Sequence, residues 1–328
     1  MSASRSRIVS AACALPSQIV TSESMEAQLG LDAGWIKQRT GVVERRIARE
    51  DEATSDFARV AALRAIEKSP IDAADVGLVL LATSTPDYPL PPTAPRVAFE
   101  IGATRAGAID LTGACAGFLY ALALADAHVR VHECPVVIIG ANILSRRVAP
   151  DDVTVAPLFA DGAGAVVLMP SDNHRGILAT TLAADGEHAD ALMIPAGGSR
   201  QPMSAGAVAA GEHLMHLNDG QRVFRQAVRG MTDVGRSVLE SGGLSIDDVN
   251  LWIPHQASSR IIRETGRQLG IDVDRTLVVV DTLGNSSAAT IPIALALRLD
   301  GAGLGDDDVV LMTAAGAGFL SAAVLMRW

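Results

Sequence analysis

The 328-residue sequence predicts a layered α/β fold made of two similar halves. Short β-rich apolar runs alternate with Ala- and Leu-rich segments along the chain, an order typical of helices that pack against a central sheet. Three of these segments recur at one fixed spacing of 173 residues, which indicates an internal duplication. Because 49% of the residues are hydrophobic, the chain can bury a large core, and disorder is excluded.

Four apolar runs have the length and composition of strands that are buried on both faces: 76–84, 134–142, 249–256 and 308–316. Helices are predicted at 117–129 and 289–299. Because this alternation is typical of βαβ units, we expect most strands to be parallel. The N-terminal apolar run is short and interrupted by Ser10, which favours a buried first strand over a signal peptide.

The duplication supports a division into an N-terminal half, 1–171, and a C-terminal half, 172–328. The matching positions are Val76 with Val249, Val136 with Val309, and Ala121 with Ala294. We expect the halves to pack together about a pseudo-twofold axis. The segment from about 171 to 220 has no obvious counterpart in the first half, so irregular connections are expected there.

Charge and cysteine content exclude several classes of protein. The net charge of −10 argues against a general nucleic-acid or anionic-membrane binder. The three cysteines, Cys13, Cys115 and Cys134, form no CxxC pair and suit a reducing cytoplasm. The histidines form no HExxH or HxH motif, so a metal site is not expected. The longest run of low polarity, 313–326, is too short to cross a membrane.

Cys115 is a candidate nucleophile. The sequence DLTGACAGFLYALALA predicts a strand that leads through small residues into a helix beginning near Cys115. A helix N-terminus favours a thiolate, because it carries about half a positive charge and free N–H groups. An inert buried cysteine is the alternative.

Two further polar residues fall at strand ends or helix starts. His255 follows an apolar strand in LWIPHQASSRII, and Asn285 follows a predicted strand in VVVDTLGNSSAATIPIAL. Each has an ordinary structural interpretation, as a core histidine or as a turn residue. Together with Cys115 and the glycine-containing loop 314–319, which can offer backbone N–H groups to an oxyanion, they indicate thiolate chemistry on an acyl group.

The chain resembles the β-ketoacyl-acyl carrier protein synthase III family of the thiolase-like fold almost from end to end. The matching segments are WIKQRTGVVERR (35–46), GACAGFLYAL (113–122), LFADGAGAVVL (158–168), HQASSRII (255–262) and GNSSAATIP (284–292). The resemblance implies an αβαβα arrangement and a catalytic triad of Cys115, His255 and Asn285. Thiolases fit less well, because loop 314–319 lacks their second cysteine. The longer elongation synthases fit less well because they have a second histidine where this chain has Asn285.

The resemblance implies a decarboxylative condensation without a metal or redox cofactor. The Cys115 thiolate would attack an acyl-CoA, with backbone N–H groups of Cys115, Gly316, Ala317 and Gly318 holding the oxyanion. Malonyl-acyl carrier protein would then lose CO₂. Neutral His255 and the Asn285 amide would stabilise the enolate, which attacks the acyl-cysteine.

The resemblance also places the partners. Trp35 and Arg39 match positions that contact CoA, although Val153 replaces an arginine that many relatives have. A carrier-protein patch is expected at Arg225, Arg260, Arg263 and Arg267, the last three of which share one helical face; a solvated charged face is the alternative. A homodimer is expected, with the proline-rich loop 86–95 reaching the neighbouring pocket.

One departure from the family pattern bears on which acyl starter the enzyme uses. Arg146 is followed by Arg147, where relatives commonly have an apolar or small residue bordering the acyl pocket. A guanidinium there requires a carboxylate partner, which an acyl group with a terminal carboxylate would supply, and Ser84 and Ser287 could add donors. This pattern resembles the branch that extends glutaryl-CoA to 3-oxopimeloyl-carrier protein for biotin. In one alternative Arg147 turns outward or pairs with Asp151 or Asp152, and the starter is an ordinary acetyl group. In another, the enzyme transfers the acyl group without condensation.

Overall fold

The computed structural model describes residues 5–171 and 174–328, except for the side chain of His188. The strands are β1 (Arg5–Ala14), β2 (Gln18–Thr21), β3 (Glu44–Ile47), β4 (Leu78–Ala82), β5 (Gly107–Leu111), β6 (Val136–Ile143), β7 (Asp161–Ser171), β8 (Gly176–Ala184), β9 (Leu192–Met193), β10 (His216–Leu217), β11 (Leu251–Pro254), β12 (Val309–Gly316) and β13 (Leu320–Arg327). The helices are α1 (Ser22–Leu29), α2 (Trp35–Thr40), α3 (Thr54–Glu67), α4 (Ala94–Glu100), α5 (Gly117–His132), α6 (Ala205–Ala209), α7 (Gly220–Gly242), α8 (Ser259–Leu269), α9 (Val280–Leu283) and α10 (Thr290–Asp300).

Two large sheets carry the fold. The first has the order β1-β7-β6-β4-β5 and lies within residues 5–171, and the second has the order β11-β12-β13-β8 and lies within 176–327. Reading β8 as the equivalent of β1, the order β8-β13-β12-β11 of the second sheet repeats the order β1-β7-β6-β4 of the first; β5 has no counterpart among the described strands of the second sheet. The first turn of α5 and that of α10, at Gly117 and Thr290, keep the 173-residue spacing. The predicted duplication is therefore confirmed.

The central layer consists of α5 and α10, which lie between the two sheets. Phe118 and Leu122 of α5 and Leu295 of α10 share one core with Ile138 of the first sheet and Val324 of the second. Helices α3 and α4 cover the outer face of the first sheet, and α7 and α8 cover that of the second. The predicted αβαβα layering is confirmed. Although α5 with the turn before it is long and apolar enough to cross a membrane, it forms this core.

Glycines let a central helix approach the first sheet. Gly140 of β6 lies opposite Gly164 of β7. A Cβ atom on Gly140 would lie 2.4 Å from the carbonyl oxygen of Ala288, and one on Gly164 would lie 2.5 Å from the backbone nitrogen of Ile293. Any larger residue would push the start of α10 away from the sheet.

The prediction of mostly parallel strands is wrong. In the two large sheets β4 pairs in parallel with β5 and β6, and β11 with β12, whereas the other four pairings are antiparallel. Only residues 317–319 connect β12 to β13, and so short a connection requires antiparallel neighbours. Helices cover both faces of the antiparallel strands as well, so these strands are as apolar as parallel ones. The composition of a strand therefore does not reveal whether it pairs in parallel or antiparallel.

Two local predictions also need correction. Segment 171–220 is not wholly irregular, since it contains β8, the equivalent of β1. The strand expected before Asn285 is the short helix α9. The Gln256 side chain accepts hydrogen bonds from the backbone nitrogens of Val279 and Val280, which removes donors that a strand would need. The expected buried first strand is confirmed as β1.

Candidate active site

Four separate chain segments meet at one cavity between the halves. Cys115 lies in a turn between β5 and α5, His255 follows β11, Asn285 lies between α9 and α10, and residues 316–318 are the last residue of β12 and the two that follow it. All of them line the same cavity, together with apolar residues that include Phe159, Leu192, Val223 and Phe319. The structure thus brings together the three predicted catalytic residues and the predicted oxyanion loop.

The backbone at this cavity is locally strained. Ala114, Ser287 and Phe319 have φ values of 45°, 57° and 47°, a left-handed region that non-glycine residues rarely adopt. Ala114 and Ser287 are 173 residues apart, so the duplicated halves bend at equivalent positions. Such strain is typical of functional sites, and the amino-acid pattern alone does not reveal it.

The Cys115 thiol is enclosed. The Ser287 hydroxyl donates a hydrogen bond to Cys115 Sγ over 3.4 Å. Burial raises the pKa of the thiol above its ordinary value of 9.0, whereas Ser287 and the backbone N–H of Cys115 act to lower it. Burial therefore outweighs the preference for a thiolate that the helix start predicts, and Ser287 is the side chain that opposes the effect of burial on the pKa.

The loop after β12 comes very close to the nucleophile. A Cβ on Gly316 would lie 2.7 Å from the backbone nitrogen of Cys115 and 3.0 Å from that of Ala116. Only glycine fits so close to this backbone. The next residues, Ala317 and Gly318, line the same cavity, and Gly318 has a φ of 77°. Backbone groups from the two halves are therefore adjacent, as an oxyanion hole requires.

His255 is neutral over the physiological pH range. It is 1% exposed, and burial lowers its pKa to about 3. Its backbone nitrogen donates to the carbonyl of Thr313, and its ring Nδ1 lies 2.7 Å from Thr290 Oγ1. Because the ring is held by these contacts and stays uncharged, it can act as a hydrogen-bond donor without offering a full positive charge.

The Asn285 side chain is oriented by its own loop. Its Oδ1 accepts from the backbone nitrogen of Ser287 over 2.8 Å, while its Nδ2 makes a long contact of 3.4 Å with the Ala257 carbonyl. The Asn285 backbone nitrogen donates to the carbonyl of Leu158, and the Asn285 carbonyl accepts from the backbone nitrogen of Ala160. Because Oδ1 already accepts a hydrogen bond, the amide NH₂ group is the part of the side chain that can donate to a ligand in the cavity.

Three buried side chains that hold this arrangement were not identified from the sequence. Thr290 contacts the His255 ring, and Gln256 ties the end of β11 to the backbone around Val279. Arg45, which is fully buried, donates to the carbonyl of Pro157 beside the Phe159 segment, and burial lowers its pKa to about 10. All three residues lie inside the motifs quoted above, but nothing in their spacing indicates these long-range contacts.

An outer cavity of about 700 Å³ adjoins the catalytic one and shares Leu158, Phe159 and Ile261 with it. Arg225 and Arg260 line this outer cavity, and Arg260 lies 5.6 Å from the Phe224 ring centre. Arg263 is exposed on the same helix, α8. Arg267, the fourth predicted patch residue, makes a two-point ion pair with Glu264, so its charge is already compensated.

The predicted CoA residues form a stacked pair on α2. The Arg39 guanidinium lies 4.1 Å from the centre of the Trp35 ring. Helix α2 ends against the start of α8, because a Cβ on Gly41 would overlap Ser259. Trp35 and Arg39 therefore lie on an element that packs beside the helix carrying Arg260.

The residues expected to bind a starter carboxylate are not in one place. Arg147 is partly exposed and lines a second cavity with Thr54, Thr85 and Ile143 rather than the one that Cys115 lines. Within the described residues its guanidinium has no ion pair, with Asp151, Asp152 or any other residue. Arg146 instead donates to the carbonyls of residues 49, 50 and 52.

The two serines of this group serve other contacts. The Ser84 backbone nitrogen donates to Asn142 Oδ1, and Ser84 lines neither of these two cavities. The Ser287 hydroxyl is directed to Cys115 rather than to the far end of an acyl group. Among the described residues, no cluster of three His, Cys, Asp or Glu side chains could hold a metal ion.

A cysteine, a buried histidine and an asparagine that line one cavity between two duplicated α/β halves are the arrangement expected of a condensing enzyme of the thiolase-like fold. The family model for 3-oxoacyl-[acyl-carrier-protein] synthase III matches residues 109–186, and the model for its C-terminal part matches 239–328. The chain belongs to this synthase III family of acyltransferases.

Individual relatives agree with this assignment. A 3-oxopimeloyl-[acyl-carrier-protein] synthase of Rhodothermus marinus is 54% identical over 99% of this chain and 94% of its own length. One of the same name from Brucella abortus is 42% identical over the full length of both chains. The crystal structure of 3-oxoacyl-[acyl-carrier-protein] synthase III from Aquifex aeolicus superposes with a TM-score of 0.90 at 35% identity, covering 98% of this chain and 100% of that one.

Replacing Ser287 by Ala should raise the pKa of Cys115 further, because the thiolate loses a hydrogen-bond donor. We expect alkylation of Cys115 by iodoacetamide at neutral pH to slow about threefold and its pH profile to shift to higher pH. Peptide mass spectrometry separates Cys115 from Cys13 and Cys134. The neighbouring Ser286→Ala variant is the control; an unchanged profile for Ser287→Ala, or an equal shift in both, would contradict this role.

Proposed function

We propose that the protein condenses an acyl-CoA starter with malonyl-acyl carrier protein, releasing CO₂ and giving a 3-oxoacyl-acyl carrier protein. The observation that carries this proposal is the single cavity lined by Cys115, His255, Asn285 and the loop 316–318. Acylation needs a nucleophile beside oxyanion donors, and decarboxylation needs two neutral donors for an enolate. This cavity holds groups suited to both steps.

In the first step the Cys115 sulfur attacks the thioester carbonyl of the acyl-CoA. The negative oxygen that forms accepts hydrogen bonds from backbone N–H groups of Cys115 and of residues 316–318, which are adjacent across the interface between the halves. The C–S bond to CoA then breaks, and CoA leaves as the thiol with the proton that Cys115 lost. The acyl group remains on Cys115.

In the second step malonyl-carrier protein enters the same cavity. Its terminal C–C bond breaks, CO₂ leaves, and the electron pair forms an enolate whose oxygen accepts hydrogen bonds from His255 and Asn285. The enolate carbon attacks the carbonyl carbon of the acyl-cysteine, and the C–S bond to Cys115 breaks. The 3-oxoacyl group is then on the carrier, and the Cys115 thiolate takes up a proton from solvent. Burial keeps His255 uncharged, and both donors are held by buried contacts. No step calls for a metal or redox cofactor, so we propose that none is used.

We propose glutaryl-CoA as the preferred starter, giving 3-oxopimeloyl-acyl carrier protein for biotin synthesis in the cytoplasm. Two relatives covering almost the whole chain carry the name 3-oxopimeloyl-[acyl-carrier-protein] synthase. Arg147 lies on the 310 turn (Leu144–Arg147) that follows β6, and it has no ion pair within the described residues, so its charge is available to a substrate carboxylate. For this, the second cavity would have to connect with the Cys115 cavity when the starter is bound.

Arg147→Ala is expected to lower kcat/KM for glutaryl-CoA about tenfold or more while leaving that for acetyl-CoA within about twofold, because only glutaryl loses an ionic partner. The measurement is product mass on the carrier with each starter, in the wild type and the variant. Acetyl-CoA within the same variant is the control. Equal use of both starters by the wild type would instead support an ordinary acetyl-primed synthase, and an unchanged glutaryl preference in Arg147→Ala would remove the role of Arg147.

We propose that the acidic carrier protein docks at the mouth of the outer cavity. Arg225 of α7 and Arg260 of α8 line that cavity and are exposed, and Arg263 extends the charge along α8. The phosphopantetheine arm would pass from there between Leu158, Phe159 and Ile261 to the catalytic cavity. Because the chain carries a net charge of −10, a local positive mouth also guides the carrier to the correct face.

Arg225→Gln and Arg260→Gln should each raise KM for malonyl-carrier protein about threefold at low salt, with a smaller effect at high salt. The starter in this assay is acetyl-N-acetylcysteamine, which has neither phosphates nor a carboxylate, so the carrier is the only acidic substrate. Arg236→Gln is the matched control, since Arg236 is an exposed arginine of the same helix about 16 Å further along. The same rise in KM for all three variants would indicate net charge rather than docking.

We propose a homodimer formed through the open edge of the first sheet. Among the described strands β5 pairs with β4 alone, so its other edge is open, and Ile109 on β5 is 54% exposed. Nearby apolar side chains are also exposed, with Leu90 in the proline-rich loop at 82% and Phe99 at 72%. Covering this face would bury apolar surface and place loop 86–95 against the second copy.

Ile109→Asp is expected to convert the protein from twice the chain mass of 34.0 kDa to the single-chain mass, because a charge would be buried against its own copy. Size-exclusion chromatography with light scattering gives the mass directly. Val131→Asp, at an exposed apolar residue of α5 away from this edge, should stay dimeric. A monomeric wild type, or a dimer that survives Ile109→Asp, would overturn the assignment of this edge.

A further inference from the structure

The hydrogen-bond partners of His255 bear on which ring nitrogen carries the proton. A neutral imidazole has one N–H, on either Nδ1 or Nε2, and the partner of one nitrogen fixes the state of the other. Within the described residues the hydrogen-bond partner of Nδ1 is Thr290 Oγ1, at 2.7 Å. Nε2 is the nitrogen left for the cavity. The single hydroxyl proton of Thr290 therefore decides what His255 presents to a substrate.

That hydroxyl proton has two acceptors within reach. One is His255 Nδ1, and the other is the backbone carbonyl of Ser287 at 3.0 Å. The Ser287 carbonyl already accepts the backbone N–H of Thr290, so it does not need the hydroxyl. In the part of the chain that the structure describes, Nδ1 has no second donor, and an unpaired acceptor in a ring that is 1% exposed is unfavourable.

The oxygen of the Thr290 hydroxyl also has a donor. The backbone nitrogen of Gln256 points to Thr290 Oγ1 over 3.4 Å. With this donor on its oxygen, the hydroxyl is free to give its proton to Nδ1. The opposite arrangement, in which Nδ1–H donates to Thr290, would give the Ser287 carbonyl a second donor and leave Nε2 as a bare lone pair.

We infer that Thr290 is a positioning residue that donates its hydroxyl proton to His255 Nδ1 and thereby holds the ring in the tautomer with the proton on Nε2. Its consequence for catalysis rests on the proposed function, in which Nε2–H donates to the enolate oxygen. A bare Nε2 would place a lone pair against that oxygen and would repel it. Thr290 acts through His255 and does not itself touch the substrate.

The tautomer is measured directly in the wild-type protein without any assay of activity. In protein labelled with 15N-histidine, the His255 signals are those missing from the spectrum of His255→Gln. We expect the Nε2 shift of a protonated ring nitrogen and the Nδ1 shift of an unprotonated, hydrogen-bonded one. The reverse pattern would overturn the inference, whatever the enzyme is found to catalyse.

Thr290→Val removes the hydroxyl but keeps the shape of the side chain. We expect decarboxylation of malonyl-carrier protein to fall about tenfold, Cys115 acylation by acyl-CoA to stay within about threefold, and Thr290→Ser to recover most of the lost rate. The His255 15N signals of Thr290→Val should show both tautomers. Thr265→Val is the matched control, because Thr265 is also buried but its hydroxyl has no partner within the described residues.

The outcomes separate this inference from the proposed function. Equal loss of acylation and decarboxylation in Thr290→Val, or no recovery in Thr290→Ser, would mean that Thr290 only supports the fold, and would overturn the inference. If His255→Gln decarboxylates malonyl-carrier protein at the wild-type rate, the proposed function fails. The tautomer measured in the wild-type protein would still decide what Thr290 does.

Discussion

The site depends on the contact between the first turns of the two central helices. Helices α5 and α10 begin at equivalent positions of the duplicated halves, and their starts meet between the sheets. The Ser287 hydroxyl reaches Cys115 across this contact, and a Cβ on Gly117 would lie in ordinary contact with Ala288. The glycine pair in β6 and β7 makes room for it. This contact sets the approach of Ser287 to Cys115.

The two halves have the same backbone fold but contribute different residues to the site. Cys115 of the first half corresponds to Ala288 of the second at the 173-residue spacing, and His255 of the second corresponds to Ala82 of the first. In the proposed mechanism the first half therefore supplies the nucleophile, and the second supplies the neutral donors and the loop 316–318. Because each half holds only part of the proposed site, the cavity depends on the packing of the two halves against each other.

Much of this arrangement could be predicted from local sequence. The remainder could not, because it depends on contacts between segments that are far apart in the chain. The apolar runs, the repeat and the positions of Cys115, His255 and Asn285 are properties of short segments. Strand direction depends on which strands become neighbours, and the role of Thr290 depends on a contact 35 residues away in the chain. At Cys115 the helix start alone predicts a thiolate, whereas burial, which depends on the whole fold, raises the pKa of the thiol. Arg147 shows the same limit, since its segment was anticipated but its cavity was not.

The central claim is that one sulfur carries the starter and that the same cavity then forms the new carbon–carbon bond. The most direct measurement is a single turnover followed by mass spectrometry of the protein and of the carrier. We expect the starter acyl group on the peptide that contains Cys115, and its loss in step with one equivalent of 3-oxoacyl-carrier protein after malonyl-carrier protein is added. An acyl group on another residue, or full product formation by Cys115→Ala, would contradict the account.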